Sequence, residues 1–443
     1  MSLTPINLAP VNQPEAPFCL RTMSKSTALC QDKAMLTHLW FGFFAVSFLS
    51  ACYQWLINGQ SEIFSALIQS TFDMAGLSVE IAIGLIGVLA LWLGFFKIAE
   101  RAGMVQWLSR FLEPLFLKLM PGVPKNHPSH GSITMNIAAN ILGLDNAATP
   151  MGLKAMQDLQ TLNPEKDTAS DAQILFLVLN TSAVTLLPVT IFMYRAQQGS
   201  ADPTAVFLPI LMATSASTLT GLLSVAYVQK INLFDKTIAL YFTGFAVLLA
   251  ALASFLVSLP AEQMAETSSL LGNFILFSII MLFLSAGWFK KIDVYDAFIE
   301  GAKQGFDIAI KLIPYLLAML VAIGLLRSSG VLDELLSLFQ ILFSWLGFNT
   351  DFIQALPTAF MKPLSGSGAR AMMLETMNTY GVDSFAATVS AIMQGSTETT
   401  FYVLAVYFGS VGIKKVRHAL ACALLADLAG ISMAIFAGYL FFH

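Results

Sequence analysis

Charge is scarce in this chain. Asp, Glu, Lys and Arg make up 11% of its 443 residues, against about a quarter in a soluble domain, so a soluble globular fold is excluded. Histidine is scarce too: His38, His127, His130, His418 and His443 fall at predicted helix ends or in loops, which is poor material for hydrolytic or metal chemistry inside a bilayer. His127 and His130 in "NHPSH" offer two ligands beside two prolines, too few for a zinc site. The four cysteines, Cys19, Cys30, Cys52 and Cys422, form neither metal-type pairs nor a secreted disulfide pattern, and no chemical role is assigned to them. Leu49-Ser50-Ala51-Cys52 resembles a lipoprotein cleavage box, but it follows a long, weakly basic leader, and the reading here is a first membrane helix continuing through Trp55 and Leu56. No GxxxxGK[ST] loop is present, so nucleotide hydrolysis within the chain is unsupported. The expectation is no enzyme, no metal, no cofactor and no nucleic-acid partner.

What is abundant is apolar sequence: 56% of residues are hydrophobic and the mean hydropathy is +0.72. Runs near the roughly 20 residues that span a bilayer as helix occur at about 39–57, 78–98, 172–194, 204–228, 237–259, 270–289, 308–326, 384–408 and 417–442. This predicts an all-α polytopic membrane protein with about nine spanning helices. With the N-terminus placed in the cytoplasm, the inside loops collect Lys97, Arg101, Lys118, Lys166, Lys230, Lys290, Lys414, Lys415 and Arg417 among others. The outside loops hold Arg195 and Arg327 with acids such as Glu62, Asp73, Asp333 and Glu334. That bias supports a multi-pass orientation with the N-terminus inside. Residues 1–34 are polar and aperiodic, and are expected to be a disordered tail.

Two stretches repeat one plan. The first copy begins with an amphipathic approach and a spanning run, "SEIFSALIQSTFDMAGLSVEIAIGLIGVLALWLGFFKIAERAG", and the second with "DVYDAFIEGAKQGFDIAIKLIPYLLAMLVAIGLLRSSG"; both end in a small residue and Gly. Each is followed by an aromatic amphipathic stretch suited to the membrane interface. Next come "MNIAANILGLDNAATPMGLKAMQDL" and "PTAFMKPLSGSGARAMMLETMNTYG", too polar for a simple crossing. They read as re-entrant hairpins, two in all, with tips at "GLDNAATP" and "SGSGAR"; a surface loop is the alternative. Then each copy has a spanning run with a polar interruption, where Asn180, Thr181 and Ser182 correspond to Gln394, Gly395 and Ser396. Five crossings separate equivalent points, so the copies are expected to be inverted, the arrangement that points to a transporter-like core. The expected division is a tail 1–34, a first half 35–230, connecting helices 231–292 and a second half 293–443.

An unwound turn inside a bilayer persists only where protein or a water-filled cavity covers it. The candidate solute site is therefore Gln394, Ser396, Thr397, Glu398 and Thr399 facing Asn180, Thr181, Ser182 and Thr185. The hairpin residues Asn140, Asp145, Asn146, Ser367 and Arg370 close it. Glu398 is the leading candidate, because a carboxylate inside a membrane costs roughly 2.5 to 3.5 kcal/mol on insertion scales and marks a pathway or a partner. The structural alternative is that Glu398 pairs with Arg370 or Lys362 and serves rigidity alone.

These same motifs carry a resemblance. "EIAIGLIG" (80–87), "ALWLGFFKIAERAG", "NILGLDNAATPMGLKAMQDLQ" and "LNTSAVTLLP" resemble spore maturation protein A, over about 35–230. "PLSGSGARAMMLETM", "YGVDSF" and "MQGSTETTFYVLAVYFGSVGIKKVRHAL" are similar to spore maturation protein B, over about 293–443. The chain thus looks like a fusion of two members of the gate, or nucleoside recognition, domain family. The resemblance implies a polytopic protein of the bacterial inner (cytoplasmic) membrane with paired gate domains. It leaves the solute open. The functional expectation is transport of a small polar solute or ion, with the lipid bilayer as surroundings. The alternative is a membrane anchor or regulator acting with an envelope partner. A homo-oligomer is compatible with the sequence, though no segment specifies one.

Overall fold

The computed structural model describes residues 27–141, 145–186, 188–257 and 261–443. Side chains are not described at some of these positions, Asp145, Asn146 and Lys311 among them. Among the described residues the chain is helical, without a β-strand, as its composition requires. The polar N-terminal segment lies mostly outside the described residues, and helix α1 (Thr27–Asn58) begins within it.

The two spanning segments and their amphipathic approaches each fuse into one long helix. These are α2 (Ile63–Arg101, 39 residues) and α11 (Val294–Ser328, 35 residues). At 1.5 Å per residue α2 is roughly 58 Å long, well beyond a hydrocarbon core of about 30 Å, so the 78–98 and 308–326 estimates captured only the apolar centre of each. The reason is packing. A Cβ on Gly305 would lie 2.5 Å from Ala90 N, one on Gly301 would strike the Leu93 carbonyl, and Gly324 lies against Met74. As α11 advances its neighbours on α2 recede, so the helices run antiparallel, and their glycines permit backbone contact along most of their length. Phe95 and Phe298 complete the seam with ring centroids 5.2 Å apart. Helix α1 lies beside them, where Ala51 joins Ile63, Leu67 and Leu325 in a small apolar cluster.

Each long helix ends at a left-handed glycine, Gly103 (φ +77) or Gly330 (φ +72), a conformation that costs glycine little. The chain then enters the amphipathic helices α3 (Met104–Leu119) and α12 (Val331–Trp345). Their outward faces carry Trp107, Phe111, Leu338, Ile341 and Trp345, apolar surface that suits a lipid interface. The hairpins follow: α4 (Ser129–Ile141) with α5 (Asp145–Leu162), and α13 (Leu356–Leu364) with α14 (Gly366–Tyr380). At 13 residues, α4 is about 20 Å long and cannot cross a membrane alone. The turn of the first hairpin, 142–144, lies outside the described residues; the second turns at Ser365, whose hydroxyl caps α14 by accepting from Gly368 N at 3.1 Å.

The copies close with α8 (Phe207–Gln229) and α17 (Ala419–Phe442). A Cβ on Gly221 would meet Ala426 Cβ at 3.3 Å, and one on Gly430 would meet Ser217 Cβ at 3.1 Å. Position 217 pairs with 430 and 221 with 426, so these helices also cross antiparallel on small residues spaced four apart. Two equivalent helix pairs, both antiparallel, make the repeats inverted. Helices α9 (Lys236–Val257) and α10 (Ala261–Phe289) connect the copies. Six helices among the described residues are long and apolar enough to cross a membrane: those at Trp40–Asn58, Ile63–Arg101, Phe207–Gln229, Glu266–Phe289, Val294–Ser328 and Ala419–Phe442. The runs at 172–194 and 384–408 are interrupted, as their polar centres predict.

At opposite ends of the broken segments the copies grip each other through equivalent loops. The first-copy loop 163–170 meets the second copy's 411–417, with Lys414 N and Lys415 N bonding to the Asp167 carbonyl at 2.8 and 2.9 Å. The second-copy loop at Asp383 meets 195–202. Asp383 accepts from the Ser200 hydroxyl at 2.6 Å, the Ala201 amide at 2.9 Å and Arg195 at 2.8 Å, and Arg195 is only 2% exposed. Partial burial pushes the Asp383 carboxyl up, but the Ser200 hydroxyl, the Ala201 amide and the Arg195 charge outweigh it and hold the group below the ordinary aspartate value. A lowered folded value means that its contribution is complete above the unfolded aspartate pKa and disappears as pH falls through the folded one. Asp383→Asn, which strands the buried Arg195, is expected to lower the thermal midpoint at neutral pH. It also removes part of the wild-type loss of stability below about pH 4; thermal unfolding measured across that range checks both.

Candidate functional site

The first interrupted segment consists of α6 (Asp171–Thr181) and α7 (Val189–Gln197). Helix α6 starts on a capping box, in which the Ser170 hydroxyl and the Gln173 side chain satisfy each other's backbone amides. Helix α7 starts behind Pro188, which brings no N–H and cannot continue a preceding turn. The second segment is α15 (Phe385–Ser396) and α16 (Thr400–Ser410), with Thr397 and Thr399 in extended conformation between them. Gly395 and Ser396 weaken the end of α15 by propensity. The two interruptions meet directly: Glu398 N donates to the Thr181 carbonyl at 2.8 Å. Thr218 of α8 donates its hydroxyl to the Ser182 carbonyl, so freed backbone groups at both breaks are covered by protein.

Buried polar side chains surround this crossing on two sides. On the first side Asn140 of α4 donates to Asn180 Oδ1 at 2.9 Å. Tyr407 of α16 donates to the same oxygen at 3.4 Å, and Asn136 Nδ2 reaches the Tyr407 hydroxyl at 3.3 Å. The Tyr407 ring stacks on Phe176 of α6 at 5.7 Å. Hairpin, broken helix and the opposite copy's broken helix thus share one network. On the second side the Thr400 hydroxyl donates to Asp427 Oδ2 at 2.6 Å, Asp427 being 2% exposed on α17. Gly366 at the hairpin tip lies against the Thr399 hydroxyl. Lys362 of α13, 4% exposed, and Glu398 both act electrostatically on Asp427.

Most of the sequence-predicted residues gather here. Asn180, Thr181, Ser182, Gln394, Ser396, Thr397 and Thr399 are buried at the crossing, and Thr185 is half-buried at the edge of the first break. Asn140 enters through Asn180. Ser367 is half-buried with its hydroxyl 3.2 Å from that of Ser365. Arg370 faces elsewhere, its guanidinium 5.5 Å over the Tyr194 ring of α7, and among the described residues it forms no ion pair with Glu398. Asp145 and Asn146 open α5, but their side chains lie outside what is described. Glu398 differs most from expectation: its backbone closes the crossing while its side chain is exposed on the protein. The buried acid at the crossing is Asp427, which the sequence did not single out, and Tyr407 was missed with it. Asp427 had a signal: in "LLADLAG" it is the acid within the apolar run 417–442. Among the described residues no three His, Cys, Asp or Glu side chains gather as metal ligands.

A family model described as Gate, nucleoside recognition, matches residues 82–198 and 309–414, together half of the chain. The chain belongs to the Gate family. Each matched segment runs from one long antiparallel helix through the hairpin and the broken helix, so the family unit is the structural repeat. Spore maturation protein B of Bacillus subtilis (strain 168) is 46% identical over 157 residues, 35% of this chain and 86% of that protein. Spore maturation protein A of the same organism is 42% identical over 149 residues, 34% of this chain and 76% of that protein. Asp427 and the crossing helices α8 and α17 lie outside both Gate segments.

The shared network has a direct consequence. Asn180→Ala removes the acceptor used by both Asn140 and Tyr407, and unsatisfied buried polar groups cost about 1 to 3 kcal/mol. The variant is expected to unfold several degrees below wild type, and Tyr407→Phe by less, in thermal unfolding of the purified protein.

Proposed function

We propose that this Gate protein is a multi-pass protein of the bacterial inner membrane, with its N-terminus in the cytoplasm, that transports a small polar solute or ion through a site between its two broken helices. One observation carries the reading. Two inverted copies bring their interruptions together, backbone to backbone, among buried polar side chains. A membrane protein that needed rigidity alone would be served better by continuous apolar helices, since polar groups inside a bilayer are costly. Opposed half-helices present carbonyl ends and amide ends to a solute at one place. Inverted copies also supply two equivalent packings whose exchange alternates access. The description of the family, nucleoside recognition, is consistent with a polar organic solute. The names of the relatives record spore maturation and identify no cargo.

In this reading Asn140, Asn180, Gln394, Thr397 and Thr399 line the solute path, and Glu398 presents its carboxylate to the open side of the crossing. Uptake into proteoliposomes tests it, with nucleosides, amino acids, organic acids and divalent metals as labelled solutes. Saturable uptake of one class by wild type, reduced at least about ten-fold in Glu398→Gln, is expected, a change of roughly 1.4 kcal/mol in the limiting step. Absence of uptake for every class, with no thermal stabilisation by any of them, would favour an anchoring role.

A further inference from the structure

The second hairpin carries a cation without a counter-charge. Arg370 stands on α14 one turn after the hairpin tip and is half-buried, and a guanidinium cannot shed its proton. Among the described residues three arginines are withdrawn from solvent: Arg195, Arg327 and Arg370. Arg195 meets the Asp383 carboxylate at 2.8 Å, and Arg327 meets that of Glu375, which is 3% exposed. No described carboxylate lies within ion-pair distance of Arg370. Its neighbour is Tyr194 of α7, 2% exposed, whose ring centroid lies 5.5 Å from the guanidinium carbon and whose hydroxyl it also bonds. Arg370 Nε is buried without a hydrogen-bond partner, as is Arg195 Nε, so what separates these two arginines is the carboxylate. A phenol ring offsets part of a buried charge but brings no counter-ion, and charges at membrane depth are almost always paired.

The same place in the first copy is balanced. The segments "MGLKAM" (151–156) and "SGARAM" (367–372) match on the return helices α5 and α14. Each faces a tyrosine from the other copy's broken helix: Gly152 lies against the Tyr407 hydroxyl, and Arg370 against Tyr194. Lys154, in register with Arg370, is exposed and bonds Asp158 one turn on at 3.1 Å. One turn on from Arg370 stands Leu374, buried and apolar. The acid of α14, Glu375, is taken by Arg327, and neither α7 nor α15 contains an acid. Lys362, the other cation of this hairpin, sits beside Asp427. Where the first copy has an ion pair, the second has a lone positive charge with donors around it. Ser367, three residues before Arg370, shares its side of the helix, and the N-terminal dipole of α14 adds positive potential one turn away.

We propose that Arg370, with the Tyr194 hydroxyl and Ser367, binds the anionic group of the solute, a carboxylate or a phosphate, so that the cargo is an organic anion. A guanidinium presents its N–H groups as a planar fork that matches two oxygens of either group, and the bound oxyanion supplies the counter-charge that Arg370 lacks. The anion then touches the second hairpin and the first copy's α7 at once, which couples its arrival to the position of the hairpin. The identity of this ligand as the solute rests on the transport reading above; the binding itself does not.

Thermal unfolding of the purified full-length protein tests it, with sodium acetate or sodium phosphate replacing sodium chloride at constant ionic strength and fixed pH. A saturable upward shift of the midpoint over chloride is expected, and the salt that saturates at the lower concentration identifies the group as carboxylate or phosphate. Arg370→Gln should abolish the shift. Arg370→Lys, which keeps the charge and loses the fork, should raise the half-saturating concentration roughly ten-fold. Phosphate also strengthens apolar burial in any protein, and that part persists in Arg370→Gln, so only the shift lost with the guanidinium counts. If Arg370→Gln fails to fold, Arg370→Lys decides alone. The proposal is overturned if neither salt shifts the wild-type midpoint beyond chloride, or if the variants respond as wild type does. Because the readout needs no flux, its failure leaves the uptake experiment standing, and failed uptake leaves this result standing.

Discussion

A backbone amide inside a lipid bilayer has nothing to bond except protein or trapped water, and the architecture follows from that constraint. An isolated polar interruption in a membrane helix leaves amides and carbonyls bare, each costing several kcal/mol. Here the two interruptions meet, the amide of Glu398 on the carbonyl of Thr181, and Thr218 of α8 bonds the Ser182 carbonyl. The inverted copies bring the two breaks to one place, where the bond between Glu398 and Thr181 forms. The antiparallel seams between α2 and α11, and between α8 and α17, hold that arrangement on glycines that let backbones touch.

Within this frame the copies are chemically unequal. The first hairpin contributes asparagine, through Asn136 and Asn140, to a network completed by Asn180 and Tyr407. The second contributes Lys362 and a serine-glycine turn beside Asp427 and Thr400. One side of the crossing is neutral and the other carries the charged groups Lys362 and Asp427, and buried acceptors without a partner occur on both, Asn136 Oδ1 on the first and Gln394 Oε1 on the second.

Much of this was legible in the amino-acid sequence. The repeated glycine after each long helix, the small-residue hairpins and the matched interruptions at Asn180 and Gln394 are periodic or compositional features, set locally by turn and helix chemistry. The length of α2 and α11 was not legible, because a polar stretch such as Gln69 to Asp73 looks like a boundary, and only the packing of Ser70 and Met74 against Gly324 of α11 carries the helix through it. Glu398 was recognised as an acid at the second break, but which way its side chain turns depends on extended backbone at Thr397 and Thr399. Asp427 carried a signal as the acid of an apolar run, but its role was not legible. Its partner Thr400 belongs to another helix, and only the fold brings them together.

Disulfide trapping in a cysteine-free background tests the central claim most directly. A bridge requires Cα atoms closer than about 7 Å, so Thr181→Cys with Glu398→Cys reports on the meeting of the breaks, and Leu67→Cys with Leu325→Cys reports on the antiparallel frame. Both pairs are expected to bridge on mild oxidation of membranes. A 67–325 pair that bridges while 181–398 stays reduced would contradict the account, as would a bridge between Leu67→Cys and Phe298→Cys, which only parallel long helices could form.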